Sequence, residues 1–254
     1  MKSVCKQCGE EKKSLGRHWV TSRKCSYPDL SQEIKNITEG VLMGDGNISH
    51  IKEDRNSYFR VSNTNLEYLY FLLNVYGNLV NRLEVRMRAE ELVERNIKSG
   101  FIDEEPEEIY GNQYNLVTIS HPYFNSLTKW YSDGRKRWPS ELCFTPMKLK
   151  MLYCCDGGLR WSNPESANIQ ITLANEIDRK EYLRKIFNGI GISVSFNAKY
   201  LYLDNENTEK FFEYIGGSVR GMEYKWCYKD KEKYKKYKSV CKGEPHHLDI
   251  GGQL

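Results

Sequence analysis

The strongest constraint on this chain is a segment that occurs twice. An apolar helical pattern ending in a carboxylate and a glycine reads Thr38-Glu39-Gly40-Val41-Leu42-Met43-Gly44-Asp45-Gly46, then again Leu149-Lys150-Met151-Leu152-Tyr153-Cys154-Cys155-Asp156-Gly157. The pattern downstream of each copy repeats as well. Ser31 opens the first helix, with Ile34, Ile37, Val41 and Leu42 at helical spacing. Strands are then expected at Asn47 to His50 and Tyr58 to Ser62, a helix at Leu66 to Tyr76, strands at Val85 to Arg88 and Tyr114 to Ile119, and a helix at Tyr123 to Tyr131. The acidic stretch Glu90 to Asn112 interrupts this order as a loop or short helical insertion. Past Pro139 the pattern restarts: a helix from Pro146 to Cys155, strands at Leu159 to Ser162 and Asn168 to Leu173, and a helix at Asp178 to Asn188. Strands at Ile192 to Phe196 and Tyr200 to Leu203 and a helix at Glu206 to Ile215 complete it. The order helix, strand, strand, helix, strand, strand, helix thus appears twice, which marks an internal duplication.

The chemistry concentrates where each opening helix ends. A single Asp-Gly after a helix is usually a C-cap, because glycine accepts the left-handed backbone there. Two at equivalent points of a repeat carry more meaning. An aspartate at a helix C-terminus faces the negative end of the dipole and needs a compensating cation. Gly40 and Gly44, four residues apart, leave one helix face nearly bare, so a second helix backbone can approach and bring Asp45 beside Asp156. A pair of carboxylates so placed suits a hard divalent ion such as Mg²⁺ and the hydrolysis of a phosphodiester.

Charge is distributed unevenly. Residues 1 to 25 carry seven basic and two acidic side chains, residues 225 to 242 eight and two, and residues 90 to 112 two and eight, so a formal net charge of +4 conceals two basic ends and an acidic insertion. No apolar run is long enough to span a membrane and the start lacks a secretory signal, so a reducing cytoplasm is expected. Eight cysteines in such a compartment point to metal ligands or buried thiols. Cys5-x2-Cys8 with His18 and Cys25 supplies three thiolates and an imidazole, the donor set of a closed zinc site. Zinc would also stabilise a segment too short and polar to build a core, and its Lys12, Lys13, Arg17, Arg23 and Lys24 would extend phosphate contacts. Cys227, Cys241, His246 and His247 form a weaker metal set, because their spacing matches no established pattern. The run from Lys225 to Lys242, with tyrosines among the lysines, reads as a basic helix or tail along DNA.

The two glycine-rich helix ends, their separation of 111 residues and the strand pairs after each resemble the single-chain LAGLIDADG homing endonucleases. Thr38 to Gly46 matches the first signature in its glycines and its Asp-Gly end; the second departs, with Met151 and Cys155 where small residues are usual. Leu127 to Pro139, with Lys129-Trp130-Tyr131 and Arg135-Lys136-Arg137, is similar to the family's connection before the second signature, and the resemblance covers roughly residues 30 to 225. It implies an α+β fold of two pseudo-symmetric αββαββα halves, with signature helices at their interface and two four-stranded saddles along the DNA major groove. The expected organisation is a zinc-binding, DNA-contacting segment at 1–29, halves at 30–138 and 139–224, and a basic tail at 225–254.

The resemblance also implies roles. Asp45 and Asp156 bind Mg²⁺, for which Mn²⁺ or Ca²⁺ can substitute in binding, helped by the carbonyls of Gly44 and Cys155. Asn63 and Asn175 match the polar residue near the end of the second strand, and His121 and Asn205 stand where a basic residue follows the fourth. Arg60, Arg86, Arg88, Arg160, Asn168, Gln170 and Lys199 lie in or beside the proposed strands and are candidates for base reading, since arginine reaches guanine edges and Asn or Gln adenine edges. The activity implied is double-strand cleavage of a long asymmetric DNA target by a monomer, promoting mobility of an intron or intein. The alternatives are an intron RNA maturase and a non-cleaving nucleic-acid binder on the same scaffold.

Overall fold

The computed structural model describes residues 3–49, 56–100, 111–132, 134–173 and 175–242. Strands β1 (Ser3–Val4) and β2 (Glu11–Lys12) pair antiparallel, and helix α1 (Leu15–Thr21) comes next with Ser14 as its N-cap. The first half then runs α2 (Gln32–Met43), β3 (Asn47–Ser49), β4 (Tyr58–Asn63), α3 (Leu66–Tyr76), β5 (Val80–Met87), α4 (Ala89–Lys98), β6 (Gln113–Thr118) and α5 (Pro122–Ser126). A short hairpin, β7 (Tyr131–Ser132) and β8 (Arg135–Lys136), leads to the second half. That half comprises α6 (Pro146–Asp156), β9 (Gly157–Asn163), β10 (Ser166–Thr172), α7 (Lys180–Asn188), β11 (Ser195–Phe196), β12 (Tyr200–Tyr202) and α8 (Asn205–Ile215). A 3-10 turn at Glu223–Trp226 and helix α9 (Lys231–Lys242) complete the described chain.

The duplication is visible in the sheets. The first has strand order β3-β4-β6-β5 and the second β9-β10-β12-β11, all antiparallel, so equivalent strands hold equivalent places. Each sheet buries one face against helices. Phe59 and Val61 of β4 point inward while Arg60 and Ser62 point out; in β10, Ala167, Ile169 and Ile171 point inward while Asn168 and Gln170 point out. The two halves share a core, to which α2 contributes Ile37, Val41 and Leu42 and α6 contributes Leu149, Met151 and Leu152.

Glycine fixes how closely α2 and α6 meet. A β-carbon on Gly40 would stand 2.5 Å from the Lys148 carbonyl oxygen and 2.7 Å from Met151 Cβ; on Gly44 it would stand 2.5 Å from Cys155 Cβ. Met151 and Cys155, the departures from small residues, therefore sit over the glycines of the opposite helix. Closeness comes from one bare face, and an ion pair between Lys148 and Glu39 at 2.7 Å crosses the same seam.

Several boundaries differ from expectation. β5 begins five residues earlier than Val85, because bulges near Arg82 and Met87 hide its alternation. The acidic insertion contains α4, which buries Leu92; residues 101–110 lie outside the described set. The helix expected from Tyr123 to Tyr131 ends at Ser126, tightens to a 3-10 turn over Leu127–Trp130, and gives way to β7, where the Tyr131 hydroxyl accepts from Ile48 N–H at 2.9 Å. Ile192 to Val194 do not join β11: Ile192 is buried and its N–H bonds the Phe187 carbonyl. The glycines at the two helix ends are not left-handed either, since Gly44 has φ −111° and Gly157 φ −81°. Gly46 answers a close approach instead, with Phe59 Cε2 2.8 Å from where its β-carbon would stand.

Candidate active site

At the bottom of the α2–α6 seam, Asp45 lies just past the end of α2 and Asp156 is the last residue of α6. The two helices approach so closely at this end that a β-carbon on Gly44 would stand 2.9 Å from Asp156 Oδ2, and the Asp45 carboxylate is near enough to act on Asp156 electrostatically. Withdrawal from water and the neighbouring Asp45 carboxylate raise the Asp156 pKa to about 7, against the pull of Lys136 and Lys225. Asp45 is also raised, first by desolvation, with Lys225, Lys136 and the Asn63 amide opposing. The Asp45 carboxylate still reaches solvent, so water screens its shift, and the two carboxylates titrate as a pair.

Asn63 lies at the end of β4, on the helix-facing side, and its amide donates to Asp45 Oδ2 at 3.5 Å, a long contact. Its oxygen accepts from Asn65 N–H at 2.8 Å, which fixes the amide's orientation. Asn175 lines a cavity of about 120 Å³ together with Gly44, Lys136, Trp138, Asp156 and Glu176. Its side chain is exposed and its carbonyl accepts from Arg137, so the structure brings it to the rim of the site.

The cations demanded by the helix ends are Lys136 and Lys225, neither of which the sequence pattern assigns to the site. Lys136 Nζ donates to the Gly44 carbonyl and, at 2.9 Å, to that of Gly46. Lys225 Nζ donates to the carbonyls of Tyr153 at 3.1 Å, Cys154 at 2.6 Å and Gly157 at 2.7 Å. Burial lowers both ammonium pKa values, while the thiols and carboxylates around them oppose the shift. Lys225, expected as the first residue of an exposed tail, is only 6% exposed. The signal for it is the dipole argument itself: both helix C-termini lack basic residues in their last turn, so the cation has to come from elsewhere.

Two expected roles are corrected. His121 is buried and caps α5: its Nδ1 accepts from Tyr123 N–H at 3.1 Å and its Nε2 meets the Pro28 carbonyl at 2.9 Å. Burial lowers its pKa, and it packs among Tyr27 and Phe124, away from the carboxylates. Asn205 accepts from the Ser166 hydroxyl at the far end of the second sheet. The Gly44 carbonyl, expected as an ion ligand, is shared with Lys136.

Of the base-reading candidates, Arg60, Arg86, Arg160, Asn168 and Gln170 lie on the outward faces. Arg86 donates to Ser62 Oγ at 2.9 Å, Arg160 pairs across from Asn168 and lies over the Tyr202 ring, and the Asn168 Oδ1 is buried with no partner. Arg88 instead sits at the N-cap of α4, and Lys199 in the turn before β12.

Near the N-terminus, Cys5, Cys8, His18 and Cys25 converge, their ligand atoms all within 4.8 Å of one another. Cys8 Sγ and His18 Nε2 are 3.5 Å apart. A tetrahedral zinc with Zn–S near 2.3 Å and Zn–N near 2.0–2.1 Å has ligand–ligand edges of roughly 3.5–3.8 Å, so the cluster fits with slight contraction. Burial opposes ionisation of Cys5, but the backbone N–H groups of Cys8 and Gln7 outweigh it and bring the pKa to about 6. Cys227 is buried, whereas the Cys241 side chain, His246 and His247 lie outside the described residues. Among the described residues, no helix is long and apolar enough to cross a membrane.

Fold and site together define a pseudo-symmetric two-sheet protein with a carboxylate pair at its helical seam. Residues 35–211 match the LAGLIDADG DNA endonuclease family, and the chain belongs to it. The homing endonuclease I-WcaI bound to its DNA recognition sequence is similar in structure, at 18% identity and a TM-score of 0.62, over 78% of this chain and 88% of that one. The N-terminal LAGLIDADG domain of DUF199/WhiA aligns at 14% identity and a TM-score of 0.46, over 86% of this chain and 96% of its own. No curated protein matches.

Proposed function

We propose that the chain is a site-specific, single-chain homing endonuclease that hydrolyses both strands of a long asymmetric DNA target and promotes mobility of an intron or intein. The observation that carries this is the pair Asp45 and Asp156, held at a glycine-packed seam between two outward-facing polar sheets. A binder that does not cut gains nothing from two carboxylates facing phosphates that repel them. The donor set fits Mg²⁺, with Mn²⁺ or Ca²⁺ able to replace it in binding: two hard carboxylates, one of which retains a proton near neutrality unless a cation neutralises it. Bound there, the ion supplies an activated water and stabilises the leaving oxygen. Asn63 orients Asp45, Asn175 stands at the rim, and Lys136 and Lys225 hold the helix ends in place.

Arg60, Arg86, Arg160, Asn168 and Gln170 read base edges, and Arg88 and Lys199 contact the backbone. Cys5, Cys8, His18 and Cys25 hold Zn²⁺, and the exposed Lys13, Arg17, Arg23 and Lys24 around them add phosphate contacts. The test is cleavage of the uninterrupted host locus on a supercoiled plasmid with Mg²⁺. Asp45→Asn and Asp156→Asn should abolish cutting and keep DNA binding. Splicing of the host intron RNA without any DNA cleavage would instead assign the maturase role.

A further inference from the structure

Helix α9 is the largest basic element that the carboxylate site leaves unused. Its position is set by the first hairpin of the second sheet. β9 leaves the site directly after Asp156 and extends for seven residues, roughly 20 Å at strand rise. At its outer turn, the Pro164 carbonyl accepts from Lys231 N–H at 3.0 Å and Ala167 N–H donates to the Tyr228 carbonyl at 2.9 Å. The helix then docks by aromatic contact, with Tyr234 5.5 Å from Trp161 and 5.9 Å from Tyr224. Trp161 pairs with the inward-facing Ala167, so α9 covers the helix side of the hairpin and leaves Arg160, Asn168 and Gln170 free on the other face.

The lysines are arranged about that docked stripe. At 100° per residue, Lys233 and Lys236 fall on one side of Tyr234 and Tyr237, and Lys235 and Lys238 on the other. Lys235 pairs with Glu232 at 2.9 Å; among the described residues, no carboxylate pairs with Lys233, Lys236 or Lys238. Lys233 lies over the Tyr237 ring and Lys238 over the Tyr234 ring, which holds the stems while the charge stays at the surface. This arrangement favours a polyanion over a compact acidic site: the charge of Lys233, Lys235, Lys236 and Lys238 is spread over about one and a half helical turns on both sides of the docked stripe and is not focused on one point.

We propose that α9 is a second DNA-binding element, which grips the phosphate backbone of the duplex beyond the outer end of the second sheet. The proposal rests on the reading that the sheets bind DNA. Continuity supports it, because α9 starts where the DNA-reading hairpin turns, and the same short segment carries Lys225 back to the carboxylates. The basic Cys/His module holds the corresponding place on the first half: His121, whose N–H donates to Ser57 at the outer end of β4, also binds Pro28.

Salt dependence tests this without knowledge of the target. The full-length protein is titrated with a fluorescein-labelled duplex of random sequence, about 40 base pairs long, across roughly 50 to 200 mM NaCl, where each phosphate contact adds about 0.9 to the log–log slope. Two double variants, Lys233→Ala/Lys236→Ala and Lys235→Ala/Lys238→Ala, remove one flank each and keep the docking tyrosines. At least one should flatten the slope by about two, while Lys233→Arg/Lys236→Arg retains it. Unchanged slopes in both alanine variants, with wild-type binding intact, would overturn the α9 proposal alone. A wild-type protein that binds no duplex would remove both it and the endonuclease reading.

Discussion

Substituting Gly40 by alanine isolates the contact on which the site depends. The new methyl would stand 2.5 Å from the Lys148 carbonyl oxygen, 2.7 Å from Met151 Cβ and 2.8 Å from Lys148 Cα. Two of these are backbone atoms of α6, which cannot rotate away, so the helices must separate. Overpacking of this kind costs about 1–3 kcal/mol, and backbone obstruction places it at the upper end. Alanine returns about 1 kcal/mol through helix propensity, which leaves a net loss of about 2 kcal/mol. In a chain of this size that lowers the melting temperature by about 4–8 °C. Calorimetry of Gly40→Ala and Gly16→Ala provides the contrast, because the methyl at Gly16 meets only Ile119 Cβ at 4.0 Å and should be neutral or slightly stabilising. Gly44→Ala should in addition displace Asp156 and lose cleavage while still binding DNA. If Gly40→Ala proved as stable as the wild type, helix contact at this seam would not be limited by the missing side chain.

The charges lead to three further outcomes. A folded-state Asp156 pKa of about 7 lies above its unfolded value, so in the metal-free protein the contribution of this group to stability is full below about pH 4 and is lost as the pH rises to 7; thermal melts of the wild type against Asp156→Asn should show that difference, and added Mg²⁺ should offset it at pH 7. Lys225→Met removes three hydrogen bonds, two of them buried, and should cost about 3 kcal/mol; it should also raise the Asp156 pKa further, a shift that ¹³C-carboxyl NMR would read and that lost packing alone would not produce. Purified protein should contain one zinc per chain by plasma emission spectroscopy, and Cys25→Ser should release it without loss of the α2–α6 seam.

How much of the fold and site is legible in the sequence depends on the range of the forces. The α2 and α6 helices are readable because caps and apolar spacing are local: Ser31 and Thr145 each accept an N–H three residues on. That both sheets share one arrangement follows from the repeat, whereas the strand order within each is seen only in the fold. Register does not follow from the repeat, since bulges in β5 shift its alternation and place Arg88 outside the strand. Asn63 is located through the family resemblance and meets Asp45, although the strand expected from the sequence stops one residue short, at Ser62. The place of His121 is not legible, because its neighbours Tyr27 and Pro28 come from the N-terminal segment, with Pro28 lying 93 residues away along the chain. A burial that depends on such a partner leaves no trace in the local pattern.

The lysines show why the seam between α2 and α6 has the form it does. Each aspartate sits at the carbonyl end of a helix, where its charge meets the negative pole of the dipole, and the two carboxylates repel one another as well. A lysine in the last turn of α2 or α6 would answer the dipole but would occupy the surface that must remain bare for the helices to meet. Both halves therefore recruit the cation from the connection beyond their last strands: Lys136 from the β7–β8 hairpin, Lys225 from the turn after α8. Both approach from outside the seam and bind carbonyls, leaving the carboxylate oxygens facing the gap. The ammonium groups lower the proton affinity of the pair without cancelling the effect of burial and mutual repulsion, which still raise the Asp156 pKa to about 7. That residual deficit of positive charge is what a divalent ion would fill, and it exists because the lysines are spent on the helix ends.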